Sequence, residues 1–336
     1  MTHSRHCITT SAVVLLAAIF AGAQDPTPLV FEVQAPVAQA QSPGPPSAVF
    51  RQSLADAWWT GPLLANSPST LPRGHFLVEP YLYDVMGANA HGIGSRAYIE
   101  YGLFDRLTVG VIPILDYNIV SGSPSSSGIR FGDLTPLAQY RLTRFNEHSW
   151  VPATAIMVQE TFPTGRFDRL GDRLNNGTGS GAYATMIALN SQKYFWLPNG
   201  RILRMRFDVS ETLSRSVNVK DTSVYGTSNG FRGHADPASS LFVDAAWEYS
   251  KTRNWVLALD IIYHNSGNTT VSGHNISDPN AQVRSDSGSS AGFGFAPAVE
   301  YNWTANLGVI FGVRMIAHGR NTATTVTPAI AINFVR

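Results

Sequence analysis

Cysteine occurs once in the 336 residues, at Cys7. It precedes the apolar stretch Ile8 to Phe20, the wrong side for a lipid-modified cysteine at a cleavage site. Once such a leader is removed no thiol remains, which excludes a disulfide framework and a cysteine metal site and leaves stability to burial and strand pairing. Charge is scarce too: Asp, Glu, Lys and Arg make up 14% of the chain, against roughly 25–35% on a soluble surface. With Arg5 set aside, the 24 basic residues fall to the number of acidic ones, 23. That balance provides no electrostatic footprint for nucleic acid. Also missing is any unbroken apolar run of the roughly 20 residues a transmembrane helix needs, so a helical membrane protein is not expected.

What is present begins with a signal. Arg5 and His6, the apolar stretch and the small residues Ala21-Gly22-Ala23 read as a secretory signal peptide over residues 1–23, with a second cleavage site at Ala38-Gln39-Ala40. Residues 24–50, rich in Pro, Ala and Gln, read as a disordered leader. Residues 51–72 contain Trp58-Trp59-Thr60-Gly61-Pro62 and apolar residues without a clean period. They predict a periplasmic segment, with Trp58 and Trp59 anchored at the interface, or a plug for a lumen.

From residue 73 to 336 the pattern changes to runs of about ten residues with alternating character, the length of a tilted strand crossing a bilayer. Leu203, Met205, Phe207 and Val209 alternate with Arg204, Arg206, Asp208 and Ser210, one side oily and one side polar. Such runs fall near 74–83, 95–102, 106–116, 131–142, 150–162, 181–195, 201–213, 239–250, 255–265, 291–302, 306–317 and 324–335. Connections alternate between tight turns, such as Pro198-Asn199-Gly200, and mostly long polar loops, notably 117–130, 163–180, 214–238 and 266–290. Aromatic residues gather beside the tight turns: Tyr101, Tyr140, Phe195, Trp247, Tyr249, Trp255, Tyr301 and Trp303. Together these features predict an all-β protein, an antiparallel up-and-down transmembrane β-barrel of about twelve strands in the bacterial outer membrane, with an aromatic girdle. Pro80, Pro113, Pro136, Pro152, Pro297 and Pro328 fall inside the runs, and each removes a ladder donor. The count could therefore be ten to fourteen.

The predicted inward faces carry Glu79, Arg96, Glu100, Asp133, Arg141, Arg204, Arg206, Asp208, Asp244, Glu248, Asp260, Glu300 and Arg314. Either these line a hydrated lumen, or they pair into an ionic ladder that closes it. Twelve strands lie between the eight that side chains fill and the sixteen of an open porin, so any channel is narrow or gated. Balanced charge argues against strong ion selectivity.

Chemistry finds little support. Asp260 and His264 share a strand face but lie about 13 Å apart, too far to hydrogen-bond as a catalytic pair. His75, His91, His234, His274 and His318 lack metal-ligand spacing. Gly177-Thr178-Gly179-Ser180-Gly181 has no following Lys and no strand–loop–helix setting for phosphate binding. No cofactor, metal or catalytic residue is expected.

At Leu71-Pro72-Arg73-Gly74-His75-Phe76-Leu77-Val78-Glu79-Pro80 the chain resembles the start of the MetA-pathway phenol-degradation family, predicted outer-membrane transporters. Phe131-Gly132-Asp133-Leu134, Phe162-Pro163-Thr164-Gly165-Arg166-Phe167-Asp168 and Asn306-Leu307-Gly308-Val309 are similar to later landmarks of that family. The resemblance covers roughly residues 70 to 335 and implies passage of small, often aromatic or hydrophobic compounds, with no agreed binding residues. One departure is that Phe334 is followed by Val335-Arg336, where outer-membrane barrels usually finish on an aromatic residue.

The expectation is thus a monomeric, non-enzymatic barrel in outer-membrane lipid, inserted by the barrel assembly machinery and passing a small solute. The alternatives are a closed structural or surface-interaction barrel and, last, an outer-membrane hydrolase.

Overall fold

The computed structural model describes residues 50–336. The expected signal peptide and all but the last residue of the leader lie outside the described residues. Eighteen strands follow in chain order: β1 (Phe76–Met86), β2 (Ala90–Phe104), β3 (Leu107–Ile112), β4 (Ile114–Val120), β5 (Arg130–Phe131), β6 (Thr135–Thr143), β7 (Ala153–Thr161), β8 (Ala184–Trp196), β9 (Ile202–Ser214), β10 (Val217–Lys220), β11 (Phe231–Asp236), β12 (Ser240–Ser250), β13 (Trp255–Ser266), β14 (Thr270–Asn275), β15 (Asp278–Asp286), β16 (Ser290–Thr304), β17 (Leu307–Arg320) and β18 (Thr325–Val335).

Each wall strand pairs antiparallel with its neighbours, and β1 pairs with both β18 and β2, which closes the sheet. β3 and β4 are one crossing interrupted at Pro113, and β5 and β6 another interrupted at Gly132-Asp133-Leu134. The result is a closed antiparallel barrel of 12 strands. Closure leaves no unpaired edge, a requirement for any sheet that crosses lipid.

The alternation places the apolar side outward. On β13, Leu257, Leu259 and Ile261 are 38–49% exposed while the intervening Asp260 is 0% exposed. A water-soluble barrel would invert this, so the exposed band faces lipid and the chain resides in the bacterial outer membrane. At the tight-turn end Trp255 packs at a tilt against Tyr301 (4.8 Å between ring centres) and Tyr301 edge-on against Trp303 (5.3 Å), a girdle at the interface.

Of the six prolines expected inside strands, Pro113 and Pro152 lie just outside them, and each of the four within a strand, Pro136 among them, lacks a ladder partner on one side. Pro80 pairs with Ala97 of β2 but has no partner on β18. Pro297 pairs with Leu259 but with nothing on β17, and Pro328 pairs with Val313 but with nothing on β1. Such gaps are where a missing N–H is tolerated.

The long outer connections are not formless. Those after β9 and β13 carry β10, β11, β14 and β15, which form a separate four-stranded sheet in that order. Its apolar contacts come from Val219, Phe231, Ala235 and Val271. Asp286, at the end of β15, accepts hydrogen bonds from Thr270 Oγ1 (2.6 Å), Asn268 Nδ2 (2.8 Å) and Arg284 Nε (3.2 Å), which hold its carboxyl down to about 2. A lowered pKa stabilises the folded form above the ordinary carboxylate range, and that contribution disappears as pH falls through the folded value. Backbone amides of β14 and β15 are therefore expected to lose exchange protection progressively as pH falls from the ordinary carboxylate value of 3.8 toward the folded value of about 2. Asp286→Asn should abolish that acid transition in hydrogen exchange.

Candidate functional site in the lumen

An irregular segment has no ladder of its own, so every buried backbone N–H in it needs another acceptor. Residues 51–72 meet this need inside the barrel. At the periplasmic mouth Gln52 N donates to Gly200 O (2.9 Å), and Gln52 Nε2 donates to Ser250 Oγ (2.8 Å). Arg51 pairs with Glu147 and Asp56 with Arg253 at the exposed rim; the Arg253 guanidinium, helped by Ser53, holds the Asp56 carboxyl below its usual range. A single 3-10 turn spans Leu54–Asp56.

From Trp59 to Leu71 every residue is buried. Thr60 N and Gly61 N donate to Glu300 (2.6 and 3.0 Å). Leu63 N, Leu64 N and Ala65 N donate to Asp260 (3.0, 3.3 and 3.0 Å), and Asn66 N to Asp208. The chain then turns back: Gln139 Nε2 donates to the carbonyls of Ser67 and Ser69 (3.0 Å each), and Leu71 N donates to Thr108 Oγ1 (2.8 Å). Two wall glycines permit the approach. A Cβ on Gly102 would lie 2.0 Å from Pro72 O, and one on Gly308 would lie 2.2 Å from Thr60 Oγ1.

Beside the insert, Arg204 Nε donates to Glu248 (2.6 Å), Arg206 Nε lies 3.3 Å from the same carboxylate, and Arg206 Nη1 donates to Ala65 O (2.8 Å). The Arg204 guanidinium sits 4.4 Å from the centre of the Trp59 ring. Trp58 takes another place, half-buried at the mouth over Arg253 (5.4 Å). The two tryptophans, grouped in the sequence, are thus separated, one inside and one at the rim.

The other sequence-derived candidates divide by height. Glu79, Glu100 and Asp244 are inward and 0–2% exposed. Arg141 Nη2 donates to Asp105 O (2.7 Å) near the tight-turn end. Asp133 sits at the loop end, accepting from Gly165 N (2.9 Å) and Ser180 N (2.8 Å), and so fastens the glycine-rich stretch 177–181 to the wall. Arg96 and Arg314 face inward in the outer half and are half-buried. Asp260, weighed with His264 as a catalytic pair, is occupied by three backbone donors. Among the described residues no group of three or more His, Cys, Asp or Glu could hold a metal.

Sequence reasoning missed the apolar layer. Leu63 and Leu64 of the insert pack with Tyr81, Tyr98, Ile112, Leu137, Ile262, Ile310 and Ile316 of the wall. Its signal was the local loss of alternation at pairs such as Ile261-Ile262 and Ile310-Phe311, where the inward position is apolar as well. Gln139, Thr108 and Gln52 also bond the insert or its neighbours but carry no charge, so charge patterning in the sequence does not mark them.

Asp260→Ala removes the acceptor of three buried N–H groups, each costing about 1–3 kcal/mol when orphaned. In a Ser67→Cys background, labelling by an impermeant maleimide should then rise on the order of tenfold or more. Equal rates would mean that Asp260 does not retain the insert.

No family model matches the chain, and no curated protein does. The family likeness noted above remains one of short motifs. Among solved structures, the COG4313 outer membrane channel from Pseudomonas putida F1 superposes with a TM-score of 0.61 at 16% identity, over 80% of this chain and 98% of that one. The toluene transporter TodX of Pseudomonas putida gives 0.37 at 10% identity, over 86% and 99%, and the KdgM porin 0.39 at 10%, over 76% and 98%. The first likeness supports the fold; the other two are too loose to bear on it. The chain is an outer-membrane β-barrel.

Proposed function

We propose that the protein is a passive channel for a small aromatic or hydrophobic solute, with residues 51–72 as the plug of its lumen. The observation that carries this reading is the insert itself: thirteen consecutive buried residues, Trp59 to Leu71, held by side-chain acceptors of the wall and not by a continuous strand ladder. A segment bound at points can shift without opening the barrel, and the apolar layer around Leu63 and Leu64 suits an apolar solute. Phenolic solutes fit the family resemblance. The closed sheet is complete in one chain, so the reading takes a monomer, delivered by the barrel assembly machinery and requiring no cofactor or catalysis.

The closed structural barrel is the second reading, favoured by the buried Arg204–Glu248–Arg206 cluster. Single-channel recording of the refolded full chain in a planar bilayer separates the two. Discrete small openings are expected; a silent bilayer from a demonstrably folded barrel would establish the closed reading instead.

A further inference from the structure

The lipid-facing side of the wall turns cationic at its periplasmic end. On β8 the outward file passes from Ile187 and Leu189, 51 and 49% exposed, to Lys193. On β9, whose Ile202 points inward at 0% exposed, it passes from Phe207, 51% exposed, to Arg201 just before the strand begins. Leu203 of β9 and Tyr249 of β12 are register partners, and two residues beyond that pair lie Arg201 and Lys251. Like charges therefore adjoin at the end of the sheet, an arrangement that destabilises it unless an anion lies between them.

No carboxylate of the described residues supplies that anion. The acids of the tight-turn end are engaged elsewhere: Asp56 with Arg253, Glu147 with Arg51, and Asp105 with the N–H of Arg73. Lys193 Nζ donates to Ser149 O (3.0 Å), which uses one of its three N–H donors. The same ammonium lies 4.7 Å from the centre of the Trp150 ring, and that tryptophan is 90% exposed. An exposed indole beside a cation, at the end of an apolar face, marks the level of lipid headgroups.

We propose that the rim from β8 to β12 binds the phosphate of an anionic phospholipid of the inner leaflet. Lys193, Arg201 and Lys251 hold the phosphate, and the acyl chains lie along the Leu189 and Phe207 faces. An acidic protein docking from the periplasm would use the cations and leave the apolar faces, which run on into the membrane, without a role. The site does not depend on whether the lumen conducts.

The test uses the full chain refolded into phosphatidylcholine vesicles that carry either spin-labelled phosphatidylglycerol or spin-labelled phosphatidylcholine. Electron spin resonance then reads the share of each label immobilised by the barrel. Phosphatidylglycerol is expected to associate on the order of threefold more strongly, averaged over the whole lipid shell. In K193Q/R201Q/K251Q the preference should vanish, with the heat-modifiable gel mobility showing that the variant is folded. R215Q/K220Q/R320Q, an equal loss of charge at the loop end, should keep it. Equal association of both lipids with the unaltered protein, or a preference that survives in K193Q/R201Q/K251Q, would overturn the site. Its loss in both variants would mean that net charge draws the lipid, and the rim would have no special part. In detergent micelles, retention of polyglutamate by a barrel that shows no lipid preference would make the rim a protein-docking face and sink the proposal.

Discussion

Deleting residues 51–70 is expected to enlarge the single-channel step on the order of fivefold, because twelve strands enclose more space than wall side chains alone can fill. The insert passes inward from the periplasmic mouth to Asn66 and returns to β1, so two passes of chain occupy the cross-section. The ladders from β1 round to β18 make no use of it, and closure should persist. A second readout follows from charge. Glu300, Asp260 and Asp208 together lose six backbone donors and turn toward water. Since a ring of carboxylates favours cations, the reversal potential in a salt gradient should move toward cation selectivity. An unchanged step and unchanged reversal potential would mean the insert does not obstruct the lumen.

The wall was legible because lipid imposes a strict rule. Where one face must be apolar for ten residues, the alternation in Leu203 to Ser210 or Trp255 to His264 fixes strand, register and side together. All twelve predicted runs correspond to crossings, and their errors are of a few residues, as at Met86, where β1 runs beyond its predicted end. The insert obeys no period. Its course is set by acceptors contributed from β9, β13 and β16, residues far apart in sequence, so Trp58-Trp59 announced a feature without locating it. The same reason explains the carboxylates. Alternation shows that Asp260 points inward, but not that its partners would be backbone N–H groups instead of guanidiniums or water. The outer sheet was missed because β10 and β11 are four and six residues long, too short to stand out within polar loops.

The largest stability effect is expected at Glu248. Its carboxylate lies between two arginines that are themselves 1 and 3% exposed, and no bulk water can take its place. Glu248→Ala would leave Arg204 and Arg206 facing each other in a dry layer, and breaking such a buried pair costs roughly 3–5 kcal/mol. Urea titration of the folded barrel, followed by its altered gel mobility on heating, should show that loss. Replacing the group by apolar residues of similar length, Arg204→Met with Arg206→Met and Glu248→Met, should recover most of it, since apolar packing can match a buried ion pair. The two variants differ in a further respect. Arg204 also lies on the face of Trp59, and Arg206 donates to Ala65 O, so the triple Met variant keeps the wall stable yet withdraws two holds on the insert. It should label faster at Ser67→Cys than the unaltered barrel while unfolding at nearly the same urea concentration. A triple variant as unstable as Glu248→Ala, or one with the insert still fully protected, would show that the charged cluster supports the wall and insert in some other way.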